Sequence, residues 1–575
     1  MGDIYDNVIE LARRRGFVWP SSECYGAVAG FIDYGPLGAM LKRKIENLWR
    51  GFYIIREGYY EIEAPTVGVE SIYIASGHVK GFADKMCQCP VCKEYHRADH
   101  IADEHGTAHA DSLSTEELAG IINGLPCPSC GEPLENADVF YFNLMFQTTI
   151  GPGSQRTGYL RPETAQGIFI DFNRLSRFYR EKLPFGAVQI GKSYRNEISP
   201  RQGMIRLREF TQAEAEIFIH PDHKDHPEFS RYADYSVSLW GQTHQMQDIE
   251  PVTPTMREAV DSGLVANEYV AYYISLTHEF LTQVGINPKK LRFRQHLPTE
   301  CAHYALDCWD AEIFSERFGW VEAVGIADRT DYDLKAHAKE SGDKFSVFVP
   351  YDEVRYEQRR TIVPDMGALG PHYRGKAKAV ADALIESEPG PDGATITLDG
   401  ESLFIPADLY QIREETIEVR GEEVIPHVVE PSYGIDRILY CTLEHAYEEE
   451  DVEGEIRKVL HLNPAIAPVQ AAVFPLMNKD GLDTIARNLA LELQKTGILA
   501  QYDDNGAIGR RYRRQDEIGT PYTITIDYDT LKDHTVTLRE RDSMQQVRLL
   551  ASTVPETLSR LIQGTLPFAE AGRKI

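Results

Sequence analysis

The 575-residue chain has no apolar run that approaches the roughly 18 residues of a membrane-spanning helix, so its sequence predicts no membrane segment. It also lacks internal repeats, and its one low-complexity tract is the acidic stretch 448–451. The first residues form neither a basic segment nor an apolar leader, and Asp6 does not fit a myristoylation signal. We therefore expect a cytoplasmic protein with no membrane partner.

Positive charge is in short supply: the formal net charge is −28, from 60 Lys and Arg against 88 Asp and Glu. Because like charge repels phosphate, this balance argues against nonspecific nucleic-acid binding. The acidic excess lies in residues 1–464, since residues 465–575 carry as many basic as acidic side chains. This neutral C-terminal part has an arginine-rich segment, predicted to be a loop, at which RNA could dock locally; it contains Arg510, Arg511, Arg513 and Arg514.

Cysteine is scarce, with nine residues, and the odd number argues against a disulfide framework and for a reducing compartment. Four of the cysteines form two Cys-Pro-x-Cys turns, Cys89 with Cys92 and Cys127 with Cys130. Two such turns direct four thiolates to one point, so we predict a structural Zn²⁺ site with a closed coordination shell. The alternative is a set of reduced surface cysteines, and the nearby Cys87 leaves the choice of ligands open.

The order of predicted elements gives an α+β chain of two domains, residues 1–464 and 465–575. The first domain is expected to carry two insertions, at about 80–140 and about 338–424, the second without an assigned role. In the first domain, the sequence predicts helices over residues 4–15 and about 39–52. The C-terminal domain alternates strands and helices, with a helix predicted over 482–495 and a strand over 522–526, which indicates a small α/β fold.

Residues 187–214 are the most informative stretch of the sequence. Two segments that alternate in polarity surround a loop with Pro200 and Gly203, which predicts an antiparallel hairpin. Side chains two positions apart share a face of a strand, so Arg195 should lie beside Glu197. The return segment adds two further arginines and an aromatic ring at positions 206, 208 and 210. Guanidinium groups for phosphates and a ring for a base suit a nucleoside triphosphate.

The same stretch contains a misleading motif, because residues 186–193 (GAVQIGKS) match the Walker A pattern. A phosphate-binding loop needs a strand before the first glycine and a helix after the lysine. Here the sequence after Ser193 is typical of a strand, and Val188 and Ile190 favour an extended backbone. We therefore interpret the match as a coincidence.

Three further segments share the character of the hairpin. The sequence RPETAQG places Glu163 in a turn that opens a helix, and WVEAVGIA places Glu322 in an otherwise apolar strand. The sequence EPSYGIDR joins a strand to a helix that has Arg437 in its first turn. Each of these residues alone is compatible with a structural role. Together with the hairpin, in this order, they indicate one shared site.

The hairpin resembles motif 2 of the class II aminoacyl-tRNA synthetases, and the helix and strand that end at Pro65 resemble motif 1 of the class. The segments FVWPSSE, DYGPLG, RPETAQ, EFTQAE and EPS together resemble the glycyl-tRNA synthetases, in the homodimeric form of archaea, eukaryotes and some bacteria. Motif 3 departs from the class pattern, because only Gly434 remains before Arg437. The resemblance implies an α+β fold: a class II catalytic core on an antiparallel sheet with helices, a C-terminal α/β anticodon-binding domain, and a homodimer.

The resemblance also implies a glycine–tRNA ligase. Such an enzyme activates glycine with ATP, giving glycyl-adenylate and pyrophosphate, and then transfers the glycyl group to the 3′ end of tRNA(Gly). ATP would be a substrate, and Mg²⁺ would be held by Glu322. Positioning and charge neutralisation supply the catalysis in such a reaction, so no nucleophile is needed.

The resemblance assigns specific residues to this chemistry. The catalytic residues would be Arg195, Glu322 and Arg437. The residues at ATP would be Arg195, Asn196, Glu197, Ile205, Arg206, Leu207, Arg208, Glu209, Phe210, Glu322, Ala323, Gly434, Ile435, Asp436 and Arg437. The residues at glycine would be Arg97, Glu163, Phe210, Thr211, Gln212, Ala213, Glu214, Glu430, Pro431, Ser432, Tyr433 and Gly434.

Two alternatives stay open. The chain could be a class II synthetase for another small amino acid, such as serine, proline or threonine, although three carboxylates around an ammonium group favour glycine. It could also be a synthetase-like binding or regulatory protein, although the candidate ATP ligands are all present. The amino-acid dependence of ATP–pyrophosphate exchange separates these alternatives.

Overall fold

A computed structural model describes residues 3–107, 110–153, 156–198, 200, 202–300, 305–387, 390, 392–398, 400–452 and 454–575. The chain divides into two compact units: the residues up to Phe345 together with Ile425–Ile575, and Ser346–Val424. The second unit begins later than the insertion predicted at about 338, because Tyr332–Ser341 forms a helix of the first unit. The predicted boundary at 464/465 stays a prediction, since residues on both sides of it belong to the first unit.

An eight-stranded sheet forms the centre of the first unit, and its large, mostly antiparallel area makes the fold α+β, as predicted. The two outermost pairings are parallel and the inner five are antiparallel. In spatial order its strands are Leu239–Trp240, Leu291–Gln295, Asp307–Ser315, Gly319–Thr330, His427–Gly434, Glu209–Ile219, Phe185–Tyr194 and Tyr60–Glu61.

The predicted hairpin forms, with ten residue pairs between Phe185–Tyr194 and Glu209–Ile219. The Walker-like residues therefore lie within a strand, which agrees with their interpretation as a coincidence. The charged residues expected at the strand ends instead lie in the connecting loop, which corrects the prediction. The hairpin opens there because the backbone partners change: Asn196 N donates to Leu144 O at 2.6 Å, and Arg208 N donates to Gly30 O at 2.8 Å.

Helices cover the central sheet. The first helix, Ile4–Arg15, has the predicted bounds, with Asp3 as its N-cap and Gly16 in the left-handed region at its C-cap. The helix predicted at about 39–52 begins earlier, at Pro36, because proline is favoured in the first helical turn. The other helices around this sheet are Ala165–Ile170, Phe172–Phe178, Gln242–Met246, Met256–Asp261, Glu268–Val284, Tyr332–Ser341 and Ile435–Ala446.

The predicted insertion at 80–140 folds around the four Cys-x-x-Cys residues. Its three strands are Tyr95–Arg97, Ala83–Gln88 and Val139–Asn143, with Ala83–Gln88 in the middle, and its helices are Ala98–Glu104 and Thr115–Ile122. Cys87, Cys89 and Cys127 lie in its small hydrophobic core. Beside it are the helices Glu70–Ala75 and His78–Gly81 and a sheet of Val67–Val69, Thr157–Leu160 and Gln147–Thr149. Two small antiparallel pairs elsewhere in the first unit are Val18–Pro20 with Ile32–Tyr34 and Tyr447–Val452 with Glu455–Leu460.

The C-terminal part of the first unit has a sheet and a hydrophobic core of its own. The strands, in spatial order, are Ala500–Tyr502, Ala471–Pro475, Tyr522–Ile526, Thr535–Glu540, Gln546–Leu550 and Arg573–Lys574, and the helices are Leu482–Lys495, Ile508–Ile518, Thr530–Asp533 and Val554–Ile562. The arginine-rich segment predicted to be a loop lies in the helix Ile508–Ile518. Its Arg511 is buried and donates to the carbonyl of Pro475, so it stabilises the fold rather than facing a partner.

The second unit is built on a long antiparallel pair, Val347–Pro364 with Tyr410–Val424. The helices Met366–Tyr373 and Ala377–Ile385 pack with the hairpin Gly393–Leu398 and Glu401–Pro406 around a separate apolar core. None of the helices in the described parts of either unit combines the length and apolar character needed to cross a bilayer.

Candidate active site

A cavity of about 180 Å³ opens over the central sheet where the hairpin loop meets strands Gly319–Thr330 and His427–Gly434. Thirteen of the predicted site residues line it, together with Met204 and Gly325, which sequence reasoning did not select. The predicted residues are Arg195, Glu197, Ile205, Arg206, Leu207, Phe210, Gln212, Glu322, Ala323, Ser432, Gly434, Asp436 and Arg437.

Arginines line the cavity from two sides. The guanidinium carbon of Arg195 lies 5.4 Å from the ring centre of Phe210, and Arg206 Nε donates to Glu197 at 2.6 Å. On the opposite side, Arg437 Nε donates to Ile205 O at 3.0 Å, which fixes this side chain against the hairpin loop. Two fixed guanidinium groups, one beside a half-buried aromatic ring that lines the cavity, can hold an anion and stack a planar ring.

Asp436 supports this arrangement from below. Its buried carboxylate accepts hydrogen bonds from the Tyr34 hydroxyl and, at 2.5 Å, from Thr211 N. These contacts join the hairpin strand to the helix Ile435–Ala446, which carries Arg437 in its first turn. The carboxylate of Asp436 therefore fixes the hairpin strand relative to this helix.

Four glutamates form an acidic cluster next to the cavity. Glu214 is buried and accepts hydrogen bonds from Thr164 N at 2.8 Å, Gln212 Nε2 at 2.9 Å and Ser432 Oγ at 2.7 Å. These donors fix the carboxylate group at the wall that Gln212 and Ser432 share with the cavity. The cluster consists of Glu163, Glu214, Glu216 and Glu430, and each member except Glu216 was predicted from the sequence.

The pKa values of these carboxyl groups diverge. Burial, opposed by Arg329 and reinforced by Glu214 and Glu163, raises the pKa of Glu430 to about 8. Burial and the charge of Glu163 also raise the pKa of Glu214. Burial acts in the same direction on Glu163, but His78 and Arg329 outweigh it and hold the pKa of Glu163 below its usual range. The site thus combines an ionised carboxylate with groups that retain protons, and an arriving cation would favour their ionisation.

Arg329 is the basic residue within this cluster, and sequence reasoning missed it. Its Nη1 donates to Glu430 at 2.6 Å and its Nε to Asp333 at 2.8 Å. Glu216 was also missed: both of its buried carboxylate oxygens lack a hydrogen-bond partner within the described parts of the chain. A sequence signal existed for Glu216, because Gln212, Glu214 and Glu216 alternate along one strand.

Asp310 is a third residue that the sequence analysis did not select. It lies on the strand next to Glu322, and its carboxylate oxygen is 2.8 Å from His296 Nε2. Burial raises the pKa of Asp310, and the charge of Glu322 adds to this rise. Two carboxylates that repel each other beside a cavity are a donor set suited to a hard divalent cation.

Several predicted residues do not reach the cavity. Arg97 lies 3.3 Å from Asp84 and also binds Asp99, so the structure does not bring it to the acidic cluster. The hydroxyl of Tyr433 lies 2.9 Å from that of Tyr53, within a buried aromatic cluster. Glu209 pairs with Lys192 on the exposed hairpin end, and Asn196 and Arg208 line a neighbouring cavity. Ala213, Pro431 and Ile435 are buried within their elements. Tyr433 does not reach the cavity because successive side chains of a strand project to opposite faces, and its neighbour Ser432 faces the cavity.

The four predicted metal ligands converge. Cys89 Sγ lies 3.8 Å from Cys130 Sγ and Cys92 Sγ lies 3.7 Å from Cys127 Sγ, and all four sulfur atoms lie within 4.8 Å of one another. Cys87 lies outside this group, and burial raises the pKa of its thiol to about 11. Four convergent thiols fit a tetrahedral Zn²⁺ site of the structural kind.

Comparisons with known proteins agree with this architecture. A family model described as the tRNA synthetase class II core domain (G, H, P, S and T) matches residues 149–446, and one described as an anticodon binding domain matches residues 470–561. Proteins named glycine–tRNA ligase are similar over nearly their full length. Those of Methanothrix thermoacetophila, Methanocaldococcus jannaschii and Archaeoglobus fulgidus are 53%, 50% and 49% identical, covering 100%, 95% and 98% of this chain and 100%, 97% and 98% of their own.

The chain belongs to the glycine–tRNA ligase family. Its membership confirms the resemblance and the predicted fold class, a class II core followed by an anticodon-binding domain. In this member of the glycine–tRNA ligase family, the core match contains the hairpin, the acidic cluster and Arg437. The anticodon-domain match contains five of the six strands of the C-terminal sheet, all except Arg573–Lys574.

Proposed function

We propose that this chain is a glycine–tRNA ligase, which activates glycine with ATP and transfers the glycyl group to the 3′ end of tRNA(Gly). The observation that carries the proposal is the position of the Glu214–Ser432 hydrogen bond at the wall of the arginine-lined cavity. The arginine-lined cavity, which can bind anions, therefore lies next to the acidic cluster. This is the arrangement needed to place an ammonium group beside a nucleoside triphosphate.

ATP would occupy the cavity of about 180 Å³. Phe210 would stack on the adenine, Glu197 would accept from its amino group, and Arg195 would hold the α-phosphate. Arg206 and Arg437 would bind the terminal phosphates. With the phosphates held at both ends, the carboxylate of glycine attacks the α-phosphorus in line and pyrophosphate leaves, so charge neutralisation and positioning supply the catalysis.

Glycine would bind with its ammonium group among Glu163, Glu214 and Glu430. Ser432, held by Glu214, would lie against the α-carbon and leave no room for a side chain. Because every other amino acid is larger, steric overlap alone rejects competitors, and an editing site is not required. The hydrogen bond from Arg329 to Glu430 supports Arg329 as an arginine of this pocket, and Arg97 pairs with Asp84.

Mg²⁺ would be held by Glu322, with Asp310 as the second carboxylate. The side chain of Glu322 is 56% exposed and lines the cavity, so its oxygens are available to an ion bound with the phosphates. When bound, the ion would neutralise charge that develops on the phosphates. A structural Zn²⁺ would be held by Cys89, Cys92, Cys127 and Cys130, and these cysteine pairs support a reducing compartment, which we take to be the cytoplasm.

We also propose a homodimer. Tyr60–Glu61 forms an outer edge of the central sheet, and Tyr60 and Phe178 lie there 53% and 60% exposed with their ring centres 5.0 Å apart. An exposed sheet edge bordered by aromatic side chains is suited to pairing with a second copy. The C-terminal sheet would contact the anticodon arm of the RNA.

Aminoacylation of isolated tRNAs with labelled glycine tests the proposal. We expect charging of tRNA(Gly) alone, with AMP and pyrophosphate formed in equal amounts. Charging of a different tRNA, or with serine, proline or threonine in place of glycine, would contradict it.

A further inference from the structure

We propose that Tyr95 and Phe140 form a stacking platform for the unpaired nucleotides at the 3′ end of the RNA substrate. The inference rests on the proposed function, because only transfer to RNA requires a nucleotide end beside the ATP cavity. It assigns a role in substrate binding to the cysteine-bearing insertion, whose strands supply both rings.

The platform lines a second cavity, of about 450 Å³, that neighbours the first. Glu197 lines both cavities, so a group held in the second lies next to the proposed adenine and α-phosphate positions. The second cavity is lined by the two rings, by Arg208 and by the carboxylates of Glu94 and Glu197. Any hydroxyl that accepts the glycyl group must approach the carbonyl carbon of glycyl-adenylate, which is joined to the α-phosphate, and displace AMP from it; this cavity offers such an approach.

The two rings are exposed on one face of the three-stranded sheet of the insertion. Tyr95 pairs with Gln88 and Phe140 with Met86, two residues apart on the middle strand, so both side chains project to the same side. Tyr95 is 46% and Phe140 is 39% exposed, and their ring centres lie 6.2 Å apart at an interplanar angle of 90°. The two rings therefore leave planar surfaces for a further ring to stack on.

Cationic donors lie close to the platform, among carboxylates that include Glu94 and Glu197. A third cavity, of about 230 Å³, shares Tyr95 with the second and is lined by Arg97, His100 and Arg206. Because Arg97 and Arg206 each also bind a carboxylate, they offer individual hydrogen-bond donors and not a broad positively charged surface. In a chain of net charge −28, local donors beside aromatic faces favour a short unpaired segment over a duplex.

The test replaces each ring with alanine and compares two activities. Tyr95→Ala and Phe140→Ala should leave glycine-dependent ATP–pyrophosphate exchange within about twofold of wild type, since exchange needs no RNA. The KM for tRNA in aminoacylation should rise about fivefold or more, because stacking on an aromatic ring contributes strongly to binding an unpaired base. Tyr95→Phe should retain the wild-type KM, since it keeps the ring.

Tyr141→Ala is the matched control. Tyr141 lies beside Phe140 in the same strand, is 62% exposed, and projects to the opposite face. We expect no change in its KM for tRNA. A second measurement compares binding of intact tRNA with tRNA shortened by three nucleotides at its 3′ end. Wild type should prefer the intact RNA, and Tyr95→Ala should lose that preference.

Three outcomes would overturn the platform: an unchanged KM in both alanine variants, an equal rise in Tyr141→Ala, or loss of exchange in Tyr95→Ala. The last would place Tyr95 in the activation chemistry or in folding instead. A wild-type protein that shows no exchange with glycine would contradict the proposed function itself, so the two failures are distinguishable.

Discussion

Ser432 Oγ, at the wall of the arginine-lined cavity, donates a 2.7 Å hydrogen bond to the fully buried carboxylate of Glu214 behind that wall. The two residues lie on neighbouring strands and are register partners in the central sheet. This pairing joins Glu214, which would bind the ammonium group of glycine, to Ser432, which would limit the space beside it. The account of substrate choice depends on it.

Glu214→Gln should raise the KM for glycine about 30-fold or more, because removal of one partner of a buried charge pair costs about 2–5 kcal/mol. The KM for ATP should change little, since Glu214 does not line the ATP cavity. Steady-state exchange kinetics at varied glycine and ATP measure both values, with Glu455→Gln, an exposed hairpin position, as control. Equal losses for glycine and ATP would argue against an ammonium site.

Ser432→Gly should lower the preference for glycine over alanine about tenfold or more, because one methyl group in a tight pocket contributes about 1–3 kcal/mol of discrimination. The ratio of kcat/KM for the two amino acids in pyrophosphate exchange measures this. Ser432→Thr should move the ratio in the other direction or abolish activity. If the ratio stays at the wild-type value in Ser432→Gly, this side chain does not face the α-carbon.

Cys127→Ser should remove bound zinc and expose the insertion at residues 80–140 to proteases, because the four thiols converge and Cys89, Cys92 and Cys127 are part of its small core or pack against it. Metal analysis should give about one Zn²⁺ per wild-type chain. Cys87→Ser serves as the control, since this buried thiol lies outside the cluster and should leave the metal content unchanged. Full zinc occupancy in Cys127→Ser would exclude this ligand set.

Glu430 should make stability depend on pH. Its pKa rises from 4.5 to about 8, chiefly through burial, so the folded chain retains a proton that the unfolded chain releases between these pH values. The free energy of unfolding should therefore fall as pH rises through this window. The free energy of unfolding, measured by urea denaturation, should differ less between pH 5 and pH 8.5 in Glu430→Gln than in wild type. An identical difference in both proteins would place the titration elsewhere.

Lys192→Ala should change glycine-dependent exchange by less than about twofold, although the residue occupies the lysine position of a Walker-like sequence. Lys192 lies in a strand and pairs with Glu209 at 3.3 Å, outside the residues that line the cavity. A loss of activity comparable to that of an active-site arginine variant would restore the phosphate-loop interpretation.

The sequence predicted the main elements well where local signals were strong. The bounds of Ile4–Arg15, Leu482–Lys495 and Tyr522–Ile526 match, because capping residues or apolar periodicity mark them. It failed where tertiary contacts override local pattern. The hairpin loop opens because Leu144 and Gly30 supply its backbone partners from distant segments.

The same distinction between local signals and tertiary contacts explains which site residues were predicted from the sequence. Residues on short motifs, such as Arg195 and Arg437, were identified and do line the cavity. Arg329 was missed because its segment shows no motif and its importance comes from contacts with Glu430 and Asp333. Arg97 was assigned by resemblance, but Asp84 and Asp99 hold its guanidinium elsewhere.

ATP–pyrophosphate exchange with each of the twenty amino acids tests the central claim most directly. The account predicts exchange with glycine alone, abolished in Arg195→Ala, because this guanidinium would hold the α-phosphate. Exchange with a different amino acid, or glycine-dependent exchange that survives in Arg195→Ala, would contradict it.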